Sequence, residues 1–385
     1  MTDQVANAES IRAQPPARAL IVVSATYADG GIQRFNRTFL TACDQLGMTS
    51  EVLSLGDSFE VRSSWSEPPS TSVRVFNHNK PRFALEAFAK LLRGGYDVIV
   101  VGHINLMWLV AAATRLRRNA RVILIAHGIE VWTGLGRRAW ALRAVDTILC
   151  VSRYTRQTMQ AQVPELVDER FTIFPNALSE SWRSLTARQQ LGCLPGLPPR
   201  FILSVTRMDR GDRYKGITTV LEALAMLEDD SIQYVIAGRG DDVDFMKSVA
   251  QRLGVADRVH FVGSVPDSEL ATLYRNCLAF VLPSAKEGFG IVFLEAMFFG
   301  ACVIAAREKG AVDVVQHEST GLLVQYGDTA ALKTCIDRVV ADPILRRRLA
   351  QAGHATVVDD GAFTFRSYVA RLGRTLDLST GGPHV

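Results

Sequence analysis

Two clusters of charged residues have the types and spacing to hold a phosphorylated, hydroxyl-rich ligand. One is KEGFGIVFLEAMFFG at 286–300, which follows the apolar run CLAFVLPS at 277–284. Glu287 falls in a strand-to-helix turn, and Gly288 and Gly290 let the backbone approach a ligand closely. A helix starting near Phe289 would aim free N–H groups at that ligand. Glu295 sits in the first turns of this otherwise apolar helix, where an unpaired carboxylate is costly. A ligand hydroxyl, such as a ribose's, would satisfy it. The competing reading is that Glu287 caps the helix and Glu295 pairs with a core arginine.

The other cluster is RMDRGDRYKGI at 207–217, directly after the apolar run FILSVT. Arg207 and Lys215 flank a short polar loop, and Lys215-Gly216 opens the next helix. Two cations at a strand end facing a helix N-terminus suit a diphosphate; the alternative is a solvated surface loop. Two weaker signals lie in the first half. Gly30-Gly31-Ile32 at the first strand-to-helix turn permits an anion or an acceptor to sit against backbone N–H groups, or is a simple tight turn. His127-Gly128 ends the apolar run RVILIA, so His127 either reaches a cleft or is a satisfied structural histidine. His103, at another strand end, is structural or cleft-lining.

The elements that must position these residues alternate in kind. ALIVVSAT (19–26), EVLSL (51–55), YDVIVVG (96–102), RVILIAHG (121–128), TILCVS (147–152) and FTIFPNAL (171–178) are strand candidates, with helical patterns between most of them. Ile32, Phe35, Phe39, Cys43 and Leu46 recur at helical spacing and Gly47 ends that helix; residues 56–72 are polar and loop-like. After GCLPGLPPR (192–200), a Pro- and Gly-rich linker, a second series follows: FILSVTRM (201–208), IQYVIAGRG (232–240), VHFVGSV (259–265), CLAFVLPS (277–284) and CVIAA (302–306). Two consecutive β/α series predict an α/β chain with two doubly wound parallel sheets facing across a cleft. Ligands of such sheets bind beyond the carboxyl ends of the strands, where both charged clusters fall.

Composition narrows the function classes. At 385 residues, 48% hydrophobic and 21% charged, the chain has enough apolar material for sizeable cores. The six cysteines are scattered with no C-x-x-C pair, which predicts reduced thiols in a cytoplasmic protein and no zinc site. No secretory signal is visible, and the longest apolar stretch, 98–113, contains His103 and Asn105 and falls short of a membrane span. Charge is uneven. Residues 1–196 hold 22 Lys and Arg against 16 Asp and Glu, and the remainder 21 against 23. The basic half predicts an anionic partner. An anionic membrane surface fits better than nucleic acid, because Trp132 and Trp140 lie among Arg115, Arg117, Arg118, Arg121, Arg137, Arg138 and Arg143.

Together, Glu287…Glu295 within EGFGIVFLEAM, Arg207…Lys215-Gly216, PNAL at 175–178, the N-terminal GGI and strand-end His127 resemble the retaining GT-B glycosyltransferases of family 4, in order and spacing over residues 19–330. The resemblance implies two Rossmann-like domains. The expected organisation is a disordered lead-in over 1–17, an acceptor-side domain over 18–195 and a nucleotide-sugar-binding domain over 196–362. A helix and tail over 363–385 would cross back to the first domain. Glu287 would contact the donor sugar's hydroxyls and Glu295 the ribose. Arg207 and Lys215 would neutralise the diphosphate, without a metal ion or other cofactor. Backbone from Gly288 through Phe289, Gly290 and Ile291 would hold sugar and phosphate. His127 would contact the sugar and Gly31 would approach the donor phosphates or acceptor. The implied donor is a nucleoside-diphosphate sugar, GDP-mannose before a UDP-sugar, and the implied acceptor a glycan or polyprenyl-linked saccharide of surface polysaccharide synthesis, met in the cytoplasm or at the inner face of the plasma membrane. Asp313, in KGAVDVV, departs from the family, where glutamate is common. A nucleotide-sugar epimerase or a non-catalytic nucleotide-binding protein on the same fold stays open; a dehydrogenase does not fit, since neither first strand precedes a complete G-x-G-x-x-G.

Overall fold

Apolar strands alternate with amphipathic helices twice along the chain, and in the computed structural model each series closes into its own parallel sheet. The structure describes residues 17–27, 30–58, 66–116, 120–179, 182–183, 196–358 and 361–377. Nearly all of the expected lead-in, the first half of the 192–200 linker, Arg117, Arg118 and the final eight residues lie outside that set.

The first sheet comprises β1 (Arg18–Val23), β2 (Thr49–Ser54), β3 (Thr71–Val75), β4 (Val98–Val101), β5 (Arg121–Ala126), β6 (Thr147–Cys150) and β7 (Phe171–Ile173). Their spatial order is β3-β2-β1-β4-β5-β6-β7. The second comprises β8 (Phe201–Val205), β9 (Gln233–Ala237), β10 (Val259–Gly263), β11 (Ala279–Leu282), β12 (Val303–Ala306) and β13 (Leu322–Val324), ordered β10-β9-β8-β11-β12-β13. Every pairing is parallel. Parallel strands covered by helices on both faces must be apolar throughout. Accordingly β1 is buried from Ala19 to Val23 and β4, β6, β11 and β12 along their whole length.

Two strands differ from the sequence expectation. Residues 71–72, read as the end of a loop, begin β3, an edge strand in which Thr71, Val73 and Val75 are buried while Ser72 and Arg74 face out. The three-residue β13 is too short to show a period. Both are outermost strands, where half-exposure or brevity dilutes the apolar signal.

In each sheet the strand order reverses between two central strands, β1 and β4 in one and β8 and β11 in the other. Chain leaving such neighbours diverges and opens a crevice at their carboxyl ends. The helix expected over 363–376 spans Phe365–Thr375 and returns to the first sheet's side. There the Tyr368 ring meets Phe35 and Phe174 at 6.1 and 4.6 Å between centroids. Leu178 N–H donates to the Phe363 carbonyl, tying the returning segment to the chain after β7. No helix among the described residues is long and apolar enough to cross a membrane.

Candidate active site

The two crevices face each other and enclose a cavity of about 630 Å³, lined by the turns after β1, β5, β8, β9 and β11. The ten residues assigned to the site from sequence all line it: Gly31, His127, Arg207, Lys215, Glu287, Gly288, Phe289, Gly290, Ile291 and Glu295; His103 is not among the lining residues, and its Nδ1 accepts from the Asn105 backbone N–H at 3.1 Å.

The turns after β8 and β11 bring the two charged clusters together. Lys215 Nζ lies 2.5 Å from Glu287 Oε1, both side chains largely buried. Arg207 is 66% exposed and leans on buried Asp212, Nη2 to Oδ2 3.2 Å. The cavity thus brings together a cation paired with a carboxylate and a second, more exposed one. Two such cations can receive a diphosphate only if Lys215 shares its charge between Glu287 and the ligand.

The helix Ile291–Phe298 starts at the cavity with Gly290 as its cap. Phe289 lines the cavity just before that cap. Its ring is buried, edge-on to Phe363 at 5.6 Å. Glu295, 2% exposed, has protein partners rather than an open acceptor site. Arg34 Nη1 donates to Oε1 at 2.6 Å and the Tyr274 hydroxyl to Oε2 at 3.0 Å. The second edge of the Arg34 guanidinium donates to Asp267 Oδ1 at 2.9 Å. Burial pushes the Glu295 carboxyl above the usual range, and the Arg34 charge opposes that shift. Burial also works against the Arg34 charge, but Glu295 and Asp267 outweigh it and its pKa is raised. Of the two readings of Glu295, the arginine partner is present, and it comes from the opposite domain while Glu295 still lines the cavity.

The opposite wall is built by β1 and β5. A Cβ on Gly31 would meet nothing within 4 Å, so this turn leaves open room at the start of helix Gly31–Gln45. The His127 imidazole is half-buried in the cavity wall, edge-on to Phe35 at 4.8 Å, with Nε2 3.0 Å from the Gly102 carbonyl. A carbonyl accepts only, so Nε2 carries the proton and Nδ1 is the bare acceptor of a neutral ring. Burial lowers its pKa to about 4, with the Gly102 hydrogen bond resisting. Glu130 Oε1 accepts from the backbone N–H groups of His127 (2.6 Å) and Gly128 (3.1 Å), fixing this peptide. On its other side the peptide touches the second domain. A Cβ on Gly288 would lie 2.1 Å from the His127 carbonyl oxygen, and one on Gly128 would lie 2.7 Å from Gly288 Cα. Only glycines allow that contact. Asn176, from the PNAL stretch, also lines the cavity, and its buried Oδ1 has no hydrogen-bond partner among the described residues.

Outside the cavity the turn after β12 docks onto the first domain. Asp313 accepts from Arg153 backbone N–H (2.6 Å) and Nε (2.7 Å) at the start of helix Arg153–Gln162, where a carboxylate is favoured by the helix dipole. Lys309 Nζ sits 4.9 Å from the Trp132 ring centre and 5.6 Å from that of Tyr154. Asp313 therefore serves a domain contact. Trp132, expected among surface arginines, is 8% exposed, and its Nε1–H donates to Thr155 Oγ1 at 3.2 Å.

Sequence reasoning missed Arg34, Glu130, Asp267 and Tyr274. Glu130 had a local signal, three residues beyond His127 in a strand-end turn. Arg34 meets partners 233 and 261 residues away, which no local pattern announces.

Comparison with known proteins agrees with this architecture. The family model "Glycosyltransferase Family 4" matches residues 29–181 and "Glycosyl transferases group 1" matches 196–356. The chain is 28% identical over 380 residues to the GDP-mannose-dependent alpha-(1-6)-phosphatidylinositol monomannoside mannosyltransferase of Mycolicibacterium smegmatis, covering 90% of this chain and 94% of that one. It is 25% identical over 333 residues to the lipopolysaccharide core biosynthesis glycosyltransferase LpsD of Rhizobium meliloti, covering 86% and 90%. The crystal structure of Anabaena Alr3699/HepE in complex with UDP and glucose shares the fold, with a TM-score of 0.76 at 18% identity over 93% of this chain and 99% of that one. With one domain matched by each family model and two facing parallel sheets between which the matched motifs meet, this chain belongs to the group 1, family 4 glycosyltransferases and is an enzyme of the GT-B fold.

Proposed function

We propose that the chain transfers mannose from GDP-mannose to a lipid-linked saccharide, with retention at the anomeric carbon. The observation that carries the reading is the meeting of Arg207, Lys215, Glu287 and the His127 peptide around one cavity of about 630 Å³, a size suited to a nucleotide sugar. The mannosyltransferase relative, named as GDP-mannose-dependent, favours this donor; the UDP held by the Anabaena protein keeps a UDP-sugar as the second reading. Arg207 and Lys215 neutralise the departing diphosphate, so no metal ion is required. Glu287 takes the sugar hydroxyls and Glu295 the ribose. The bond from the anomeric carbon to phosphate oxygen breaks as the acceptor oxygen bonds on the same face. The acceptor's proton passes to the departing phosphate oxygen. Closure of the two domains excludes water, which competes with the acceptor. An epimerase would give product without an acceptor, and the paired domains offer no separate support for it.

Transfer of radiolabelled mannose from GDP-mannose into the organic-soluble fraction of a bacterial lipid extract tests this reading, run with excess chelator. Label in lipid is expected with chelator present. Label from UDP-sugars alone, or none without added magnesium or manganese, overturns the respective part.

The acceptor reading includes contact with an anionic membrane. Helices Lys80–Arg93, Met107–Thr114 and Ala139–Leu142 pack side by side. They and the turn after the second expose Leu85, Trp108, Leu116 and Trp140. Arg115 lies over the Trp140 ring at 5.2 Å, and Arg137 and Arg143 are exposed nearby in sequence. Arg121 instead pairs with Asp377, and Arg138 is half-buried against the Glu130 carbonyl, so neither belongs to this face. Apolar side chains among arginines suit an interface. Binding to anionic vesicles that falls with salt and with Trp108→Ala supports the contact; equal binding to neutral vesicles contradicts it.

A further inference from the structure

Arg34 has no role in the donor-binding reading above, yet it reaches across the cleft from the cavity wall. It stands one turn into helix Gly31–Gln45, just past the Gly30-Gly31 turn, and lines the cavity. One guanidinium edge donates to Glu295 and the other to Asp267, both on the opposite domain. Its face lies 5.1 Å from the Trp182 ring centre. Its side chain is 23% exposed and that of Glu295 2%. With the Tyr274 hydroxyl on Oε2 and Arg34 on Oε1, both oxygens of Glu295 already have donors.

A buried carboxylate gives up a charged donor only if another donor takes its place. The ribose hydroxyls of an entering nucleotide are such donors. We propose that Arg34 is a placeholder for the donor. It holds Glu295 and clasps the domains before a donor binds, and it must release Glu295 Oε1 as the ribose arrives. The released guanidinium keeps Asp267 and the Trp182 ring, so it is not left unpaired. Arg34 acts through Glu295 and is a positioning residue. The inference rests on the reading of Glu295 as the ribose ligand.

The consequence is a competition inside the molecule. Apparent nucleotide affinity is the intrinsic affinity reduced by the fraction of molecules in which Glu295 is free. Removing Arg34 raises that fraction and also removes one arm of domain closure. Binding should tighten while turnover slows, a split that loss of a merely structural residue does not produce.

The test is calorimetric titration of GDP and UDP into wild type, Arg34→Ala, Arg34→Lys, Glu295→Gln and the double variant Arg34→Ala/Glu295→Gln, alongside donor KM and kcat. For the nucleotide that wild type binds, Arg34→Ala should bind roughly tenfold tighter, with KM and kcat both lowered. Arg34→Lys should fall between it and wild type, and the gain should vanish in the Glu295→Gln background. Equal or weaker binding by folded Arg34→Ala, or a gain that survives Glu295→Gln, overturns the placeholder. Should Arg34→Ala not fold, Arg34→Gln, which keeps a donor without the charge, is read by the same criteria. Wild-type affinity in Glu295→Gln sinks the ribose reading itself. Weak binding there, with no gain in Arg34→Ala, leaves the ribose reading and removes only the placeholder.

Discussion

Lys215 and Glu287 reach each other from the ends of neighbouring strands β8 and β11, with Nζ 2.5 Å from Oε1. Under the proposed function, the cation for phosphate and the carboxylate for sugar hydroxyls neutralise one another until a ligand divides them.

Glu287→Gln keeps the side chain's shape and removes its charge, leaving Lys215 free for phosphate. The variant should fold, bind GDP at least as well as wild type, and transfer sugar roughly 100-fold more slowly. Calorimetry and steady-state rates measure the two effects separately. Loss of GDP binding with turnover unchanged would reverse the assigned roles.

The contact between the His127 peptide and Gly288 leaves no room for a methyl group, since a Cβ would sit 2.1 Å from the His127 carbonyl oxygen. Gly288→Ala should therefore fold, because the clash lies between domains rather than within one core. It should hold the domains apart, seen as a larger radius of gyration in solution scattering with nucleotide bound. The rate of transfer should drop by about 10-fold or more, since small misplacements of reacting groups are costly. A wild-type rate in this variant would show that the contact is not part of the reacting conformation.

Burial of the His127 ring gives stability a defined pH dependence. Its folded pKa is about 4 against an ordinary 6.5. Between these values the unfolded chain binds a proton that the folded chain refuses, so stability rises with pH. The contribution is intact above about pH 6.5 and is lost as pH falls towards 4, by about 3 kcal/mol in all. Urea unfolding of wild type and His127→Gln across this range should show a steeper acid loss in wild type. A ring titration near 6.5 by NMR would contradict the neutral imidazole.

How legible the site was in the sequence depended on how local each determinant is. Glu287, Gly288, Gly290, Arg207 and Lys215 stand in short segments after apolar strands, and the fold needs only to bring two adjacent strand ends together to assemble them. Trp132 and Trp140 sit eight residues apart among the same arginines, yet one is buried under Lys309 and the other is 40% exposed. What separates them is the docking of the turn after β12, a contact between domains. The same limit hid Arg34, whose carboxylate partners lie in the other domain, and Asp313, whose partner Arg153 is 160 residues away. Strand periodicity and turn chemistry were readable, but contacts across the cleft were not.

Under the proposed function, Arg207 and Lys215 hold a nucleoside diphosphate in the cleft. A thermal-shift panel of GDP, UDP, ADP and dTDP on wild type and on Arg207→Ala/Lys215→Ala tests it most directly. A ligand at a hundredfold excess over its dissociation constant adds about 2.7 kcal/mol to stability. GDP should raise the melting temperature of wild type most and leave the double variant unmoved. No shift with any of the four nucleotides, or an equal shift in the double variant, would contradict it.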